Sequence, residues 1–195
     1  MDPLPTPTLR GRRVVLEPLA PEHAPGLAEA VEPGDDVWRW TNTAPRGEAE
    51  MRAWIRDRLT PRHGCRNLAF AQRDPASGRL MGSTSLFDVD RAAESAEIGH
   101  TWLAAPWRRT GANTEAKLLL LAHAFDALGL KRVQLVTDER NDRSRRAIER
   151  IGAKPEGILR NWRRNVEGGL RNSAVYSVIV QEWPETRAAL EKRLR

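Results

Sequence analysis

The residues of this 195-residue chain best suited to chemistry gather between positions 96 and 125, AEIGHTWLAAPWRRTGANTEAKLLLLAHAF. Arg108, Arg109, Thr110, Gly111, Ala112, Asn113 and Thr114 form a short basic and polar turn that runs into a long apolar helical pattern. A helix start leaves backbone N–H groups without partners, and the helix dipole adds positive potential there. With two arginines beside it, such a turn suits an anion, a phosphate above all. Just upstream, Asp88, Asp90, Glu94 and Glu97 make an acidic run in an otherwise basic chain. Glu97 and His100 are the candidate bases: a carboxylate taking a proton directly or through water, and an imidazole with the better intrinsic pKa. In a regular strand Glu97 and Gly99 share one face, while Ile98 and His100 share the other. A structural role remains open for each. Trp38 and Trp40, two apart in a loop, either shape a binding pocket or anchor that loop on the core.

These residues need elements to hold them. Residues 1–9 carry three prolines and read as a loosely held arm. Residues 13–19 form a first strand, with Pro18 suggesting an edge position. Pro21 opens a helix that stops at Pro33 and Gly34. Residues 35–46 lack periodicity and form the loop bearing Trp38 and Trp40. Met51, Trp54, Ile55 and Leu59 mark a second helix over 48–59. Residues 67–73 and 79–89 form an antiparallel hairpin around the turn chemistry of 74–78. The strand over 97–103 precedes the basic turn. The helix after it carries Leu118, Leu121, Ala122, Phe125 and Leu128 on one face and ends at Gly129. His123 flanks that stripe. A strand over 132–137 follows, then a helix capped by Asn141 or Asp142 and ended at Gly152. Strands over 158–164 and 174–180 flank a turn at 165–169, and Pro184 starts a terminal helix. This order argues for one α/β domain, an α+β mixed sheet of six to seven strands flanked by helices. The strands at 97–103 and 132–137 should run parallel.

Composition narrows the function. The net charge of +6 is nearly all arginine, with lysine only at Lys117, Lys131, Lys154 and Lys192. That balance fits an anionic ligand or a nucleic acid, yet no nucleic-acid recognition motif is present and the basic residues are scattered. No apolar window is long enough for a membrane span, and the start, MDPLPTPTLRGRR, has no apolar core of a secretory signal. Cys65 is the single cysteine, so neither a disulfide framework nor a thiolate metal cluster is available. A cytoplasmic location is expected.

Several motifs in order resemble one family. Arg108 to Asn113 is similar to an R/Q-x-x-G-x-G/A pyrophosphate loop, and Thr114-Glu115-Ala116 with the leucine run to its following helix. Asn141-Asp142-Arg143-Ser144 resembles N-x-x-S. Gly152-Ala153 and Glu156-Gly157-Ile158-Leu159-Arg160 resemble a G-F/A…E-G-x-L-R run. Val175-Tyr176-Ser177-Val178 and Glu182-Trp183 resemble the closing strand and its E-W. The chain thus resembles the GNAT superfamily of acetyl-CoA-dependent N-acetyltransferases, especially the RimJ/RimL type that acetylates ribosomal-protein N-termini. The likeness spans about 10–183, with the arm at 1–9 and the helix at 184–195 completing a single domain.

The resemblance implies acetyl-CoA as co-substrate, no metal, and an amine acceptor, the α-amine of a protein or alternatively a small polyamine or antibiotic. A homodimer is compatible with it, and a non-catalytic nucleic-acid-binding protein on the same scaffold is the rival from another class. It implies that the backbones of Thr101, Trp102 and Leu103 bond the pantetheine arm and the thioester carbonyl, between strands that splay apart. It makes Asn141 a pantetheine contact and Ser144 the proton donor to the leaving thiolate, although Asn141 and Ser144 also read as an N-capping pair. Tyr176, the single tyrosine, lies in the last strand and suits that acid role poorly. Two departures stand out. Asn113 occupies a position where glycine or alanine is usual, and it also reads as a helix cap. Residues 161–164, where some RimL-type proteins carry a glutamate base, hold no acid here.

Overall fold

A computed structural model describes residues 6–60 and 66–195, and Cys65 lies outside them. The strands are β1 (Leu9–Arg10), β2 (Val15–Pro18), β3 (Arg66–Arg73), β4 (Leu80–Asp90), β5 (Ser95–Leu103), β6 (Arg132–Asp138), β7 (Lys154–Arg164) and β8 (Leu170–Ile179). They form one sheet in the order β1-β2-β3-β4-β5-β6-β8-β7. All neighbours are antiparallel except β5 and β6, which run parallel as their connecting helix requires. The longer helices are α1 (Ala24–Ala30), α2 (Gly47–Leu59), α3 (Ala112–Ala122), α4 (Asp142–Arg150) and α5 (Trp183–Arg193). The mixed-sheet fold class read from the sequence is the one observed, and its eighth strand is the two-residue β1.

That strand corrects the reading of the arm. Leu9, the last residue of that arm, is not loose but pairs with Leu16, as Arg10 pairs with Val15. The reason is a carboxylate far away in sequence. Glu115, in the first turn of α3, accepts the backbone N–H groups of Arg12 (3.0 Å), Arg13 (2.6 Å) and Val14 (3.0 Å). Gly11 leaves the space for it, because a Cβ there would collide with the Glu115 carboxylate. The hairpin turn and the start of α3 are therefore one unit.

The sheet separates two apolar layers. On one face α1 and α2 bury Leu27, Met51, Trp54 and Ile55 against Ala69, Ala71 and Trp102. On the other, Leu120, Leu121 and Phe125 pack with Ile98, Val133, Leu135, Tyr176, Trp183 and Leu190. The helix after α3 widens into a π turn over His123–Ala127, with Leu128 N–H donating to the His123 carbonyl. His123 is half-buried there, and burial pushes its imidazole below the ordinary histidine value. Pro21 opens a 3-10 turn, Pro21–His23, before α1, and Val31 turns extended to end α1 short of Pro33.

Candidate active site in the cleft between two strands

The parallel pair is joined by only four residue pairs, Ser95–Arg132, Ala96–Val133, Glu97–Gln134 and Ile98–Leu135. Beyond them β5 continues to Leu103 against β4, and β6 to Asp138 against β8, without pairing each other. The central strands thus part, leaving a cleft that opens toward their C-terminal ends. Ala104 N–H donates to Met81 of β4, so strand alternation turns the backbone of Leu103, and of Thr101, toward the cleft.

A bulge shapes that segment of β5. Ser83 pairs with Trp102 and Ser85 with Gly99, so His100 and Thr101 together oppose the single residue Thr84. His100 takes φ 49°, in the left-handed region. This overturns the alternation expected from a regular strand. Phe87 pairs with Glu97, and the His100 ring packs on Phe87 at 4.3 Å, so His100 lies on the Glu97 face and not beside Ile98. Gly99 between them is required, since a Cβ would stand 2.7 Å from the Phe87 ring.

The two candidate bases are consequently neighbours in different states. His100 Nε2 lies 2.8 Å from Arg58 Nη1. A guanidinium only donates, which makes Nε2 the acceptor and assigns the proton to Nδ1. Glu97 is 5% exposed and accepts from Arg163 Nη2 at 3.0 Å and Gln134 Nε2 at 3.1 Å. Burial raises its pKa above the ordinary glutamate value, against the lowering effect of Arg163. Asp90, from the same acidic run, instead closes the β4–β5 turn by accepting Ala92 and Ala93 N–H.

At the end of β5 the basic turn enters α3. Arg109 and Gly111 both lie in the left-handed region, at φ 64° and 89°. Gly111 is the N-cap of α3, so Asn113 is not the cap and sits inside the first turn with ordinary dihedrals. The first helical bond runs from Glu115 N–H to Gly111, leaving the N–H groups of Asn113 and Thr114 as first-turn donors. Thr110 is exposed and its hydroxyl donates to the Trp107 carbonyl, while Ala112 is buried. The two arginines differ. Arg108 is ion-paired with Asp35 and Asp36, and its Nε donates to the Leu103 carbonyl at 2.9 Å. Arg109 is exposed.

Across the cleft, Asn141 caps α4 by accepting the Ser144 N–H at 3.1 Å. The capping reading of this pair therefore holds, with Ser144 half-buried just beyond the end of β6. Tyr176 is buried between α4 residues, receiving Arg145 Nε at 2.9 Å and donating to Glu149. Trp38 is anchored on Trp102 and Trp54, at 5.0 and 6.2 Å between rings, and lines a cavity of about 550 Å³ with Val31, Ala44 and Pro45. Trp40 stacks between the guanidinium groups of Arg39 and Arg140, the latter paired with Asp138 at the end of β6.

This architecture has known counterparts. The family model described as the acetyltransferase (GNAT) domain matches residues 13–154. The chain belongs to the GNAT family. Among GNAT relatives, the Bacillus subtilis protein named "Putative ribosomal N-acetyltransferase YdaF" is 36% identical over 106 residues, 54% of this chain and 57% of the relative. The chain spans about half the length of the curated relatives it matches. A solved GCN5-related N-acetyltransferase from Brucella melitensis is 33% identical with a TM-score of 0.88, covering 98% of this chain and 88% of that one. Mycobacterium smegmatis RimJ, solved in complex with CoA-disulfide, shares the fold with a TM-score of 0.80 at 23% identity, over 97% and 94% of the two chains.

The donor set of this GNAT chain fits coenzyme A. Helix-start amides and the left-handed Gly111 offer a cradle for a diphosphate. The parted strands offer the backbones of Thr101 and Leu103 to an extended arm that carries its own amides. Three contributors were not legible as site residues in the sequence. Glu115 reads as ordinary helix, Arg163 is one of several arginines in its strand, and Lys117 sits beside a leucine run. Only Glu115 offered a signal, as a helix-start carboxylate opposite a Gly-containing basic turn.

Proposed function

We propose that this chain is an acetyl-CoA-dependent N-acetyltransferase acting on the α-amine of a protein N-terminus. The observation that carries the reading is the parting of β5 and β6 beyond Ile98 and Leu135, directly beside the anion-ready start of α3. Bound acetyl-CoA supplies an activated acetyl group as a thioester. The amides at Asn113 and Thr114 would hold the pyrophosphate, with the exposed Arg109 as the cation nearby, while Arg108 fixes the end of β5 to the loop at Asp35 and Asp36. The Leu103 N–H polarises the carbonyl oxygen as it gains charge. Glu97 takes the amine proton through water, since its carboxylate is oriented by Arg163 and Gln134 and its raised pKa makes it a better base. His100 holds Arg58 and the bulge. Ser144, at the start of α4, would relay a proton from water to the leaving thiolate, its hydroxyl taking up one proton as it gives up another.

The acceptor class rests on the names of YdaF and RimJ and on the loop bearing Trp38 and Trp40, which packs on Trp102 of β5 and beside Arg140 at the end of β6. The pairing of Arg73, Arg108, Arg132, Arg140 and Arg163 with carboxylates disfavours the nucleic-acid reading, because those charges are already matched within the protein.

Acetyl-CoA at saturating concentration should raise the melting temperature, and Gly111→Trp should abolish that rise by straining the left-handed turn and crowding Arg13. No shift in the wild-type protein would sink the cofactor reading. Thiol release should then be seen with peptides bearing free N-termini; release with polyamines alone would move the acceptor to the small-molecule class.

A further inference from the structure

Lys117 is a deeply buried cation that the reaction does not use. It lies on α3, 5% exposed, and its Nζ reaches across to the sheet. There it donates to Thr101 Oγ1 at 2.6 Å and Thr84 Oγ1 at 3.1 Å, while the two hydroxyls stand 2.8 Å apart. Among the described residues no carboxylate pairs with it, and burial pushes its ammonium down to about 7. Such a group is expensive to bury, and an apolar residue of similar length would ordinarily pack there at no loss of stability. Nor do the threonines need it, because each hydroxyl already has the other as a partner and Thr101 also donates to the Gly99 carbonyl.

What Lys117 touches explains its presence. Thr101 belongs to the bulge of β5, and Thr84 is the residue of β4 that the bulge straddles. Resting on the acetyl-CoA reading above, we infer that Lys117 is a positioning residue for acetyl transfer. It ties the bulge to α3 so that the Thr101 and Leu103 amides stay turned into the cleft. The bulge needs such a tether: His100 pays for its left-handed backbone, and the parted β6 gives β5 no support on that side. Ser83 Oγ steadies the bulge from β4 through the His100 carbonyl, and Arg58 from α2 through the imidazole. Lys117 is the tether from the helix whose first turn holds the pyrophosphate, so one side chain sets the distance between the two ends of the cofactor site.

The test is steady-state thiol release with acetyl-CoA and a panel of free N-terminal peptides, beside the acetyl-CoA thermal shift. Lys117→Met should lower kcat by about tenfold or more while KM for acetyl-CoA stays within about threefold, as expected for misplaced amides. Its thermal shift with acetyl-CoA should persist. Lys117→Gln, which keeps hydrogen-bond donors, should fall between Lys117→Met and wild type. Thr84→Val removes one hydroxyl at constant shape and tests the same tether without altering α3. Its effect on kcat should be smaller than, and not additive with, that of Lys117→Met. A kcat for Lys117→Met within about twofold of wild type, or full additivity with Thr84→Val, overturns the inference. Loss of the acetyl-CoA shift in the wild-type protein overturns instead the reading on which it rests.

Discussion

At the scale of single residues, Glu97 is held between opposed influences. Burial favours its neutral form, whereas Arg163 and Gln134 favour and aim its carboxylate. A base must be ionised to work, so kcat/KM should climb as pH rises through the raised Glu97 value. Glu97→Gln should cut kcat/KM by about 100-fold or more and flatten that acid limb. His100→Gln, with its ring already bonded to Arg58, should leave the limb in place. A limb that vanishes with His100 and survives Glu97→Gln would transfer the role to the imidazole. The sequence made both residues candidates but placed them on opposite faces. Period-two alternation holds only in a regular strand, and the bulge that breaks it depends on the pairing of β4, which no local pattern announces.

At the scale of elements, the start of α3 is fastened from two sides. Glu115 accepts three backbone N–H groups from the turn between β1 and β2, and Arg13 donates to the Thr110 carbonyl at 3.2 Å. Glu115→Ala would leave those three donors without acceptors in a partly buried place. The expected cost is about 2–3 kcal/mol, read as a fall of roughly 5–10 °C in melting temperature. Acetyl-CoA affinity should fall with it, because the cradle loses its backing. A change of melting temperature within about 1 °C would show that water replaces the carboxylate there. The elements themselves were legible because their signals are local: helix spacing in Met51, Trp54, Ile55 and Leu59, turn chemistry at 74–78, Gly129 at a helix end. The motif run Arg108 to Asn113 likewise marked the turn into α3. What escaped was made by contacts between distant positions. Arg108, read as a phosphate ligand, is also ion-paired with Asp35 and Asp36, and the turn after β1 is held by Glu115 from α3.

At the scale of the whole molecule, two antiparallel half-sheets meet through four residue pairs between β5 and β6. The site exists because this junction is left incomplete, and α3 with Lys117 braces one side of it. The cost of that bracing should appear in the stability of the entire fold. The folded protein holds Lys117 at about 7, whereas the unfolded chain returns it to about 10.4. Below pH 7 both states carry the proton, and the folded state bears the full cost of burying it. Between about 7 and 10.4 the unfolded state binds the proton more readily, so native stability climbs with pH across that window. Among the described residues the groups Nζ bonds are the hydroxyls of Thr84 and Thr101, so no paired acid offsets the effect. Lys117→Met removes the group and with it the pH dependence. The variant should melt about 5 °C above wild type at pH 6.5, with the gap narrowing steadily toward pH 10. Titrations elsewhere in the molecule are common to both proteins and cancel in the difference. A gap that is constant with pH would mean that Lys117 keeps its proton when folded, drawing on a partner or on water within the cleft. A variant that melts lower throughout would make the lysine a net stabiliser of the junction.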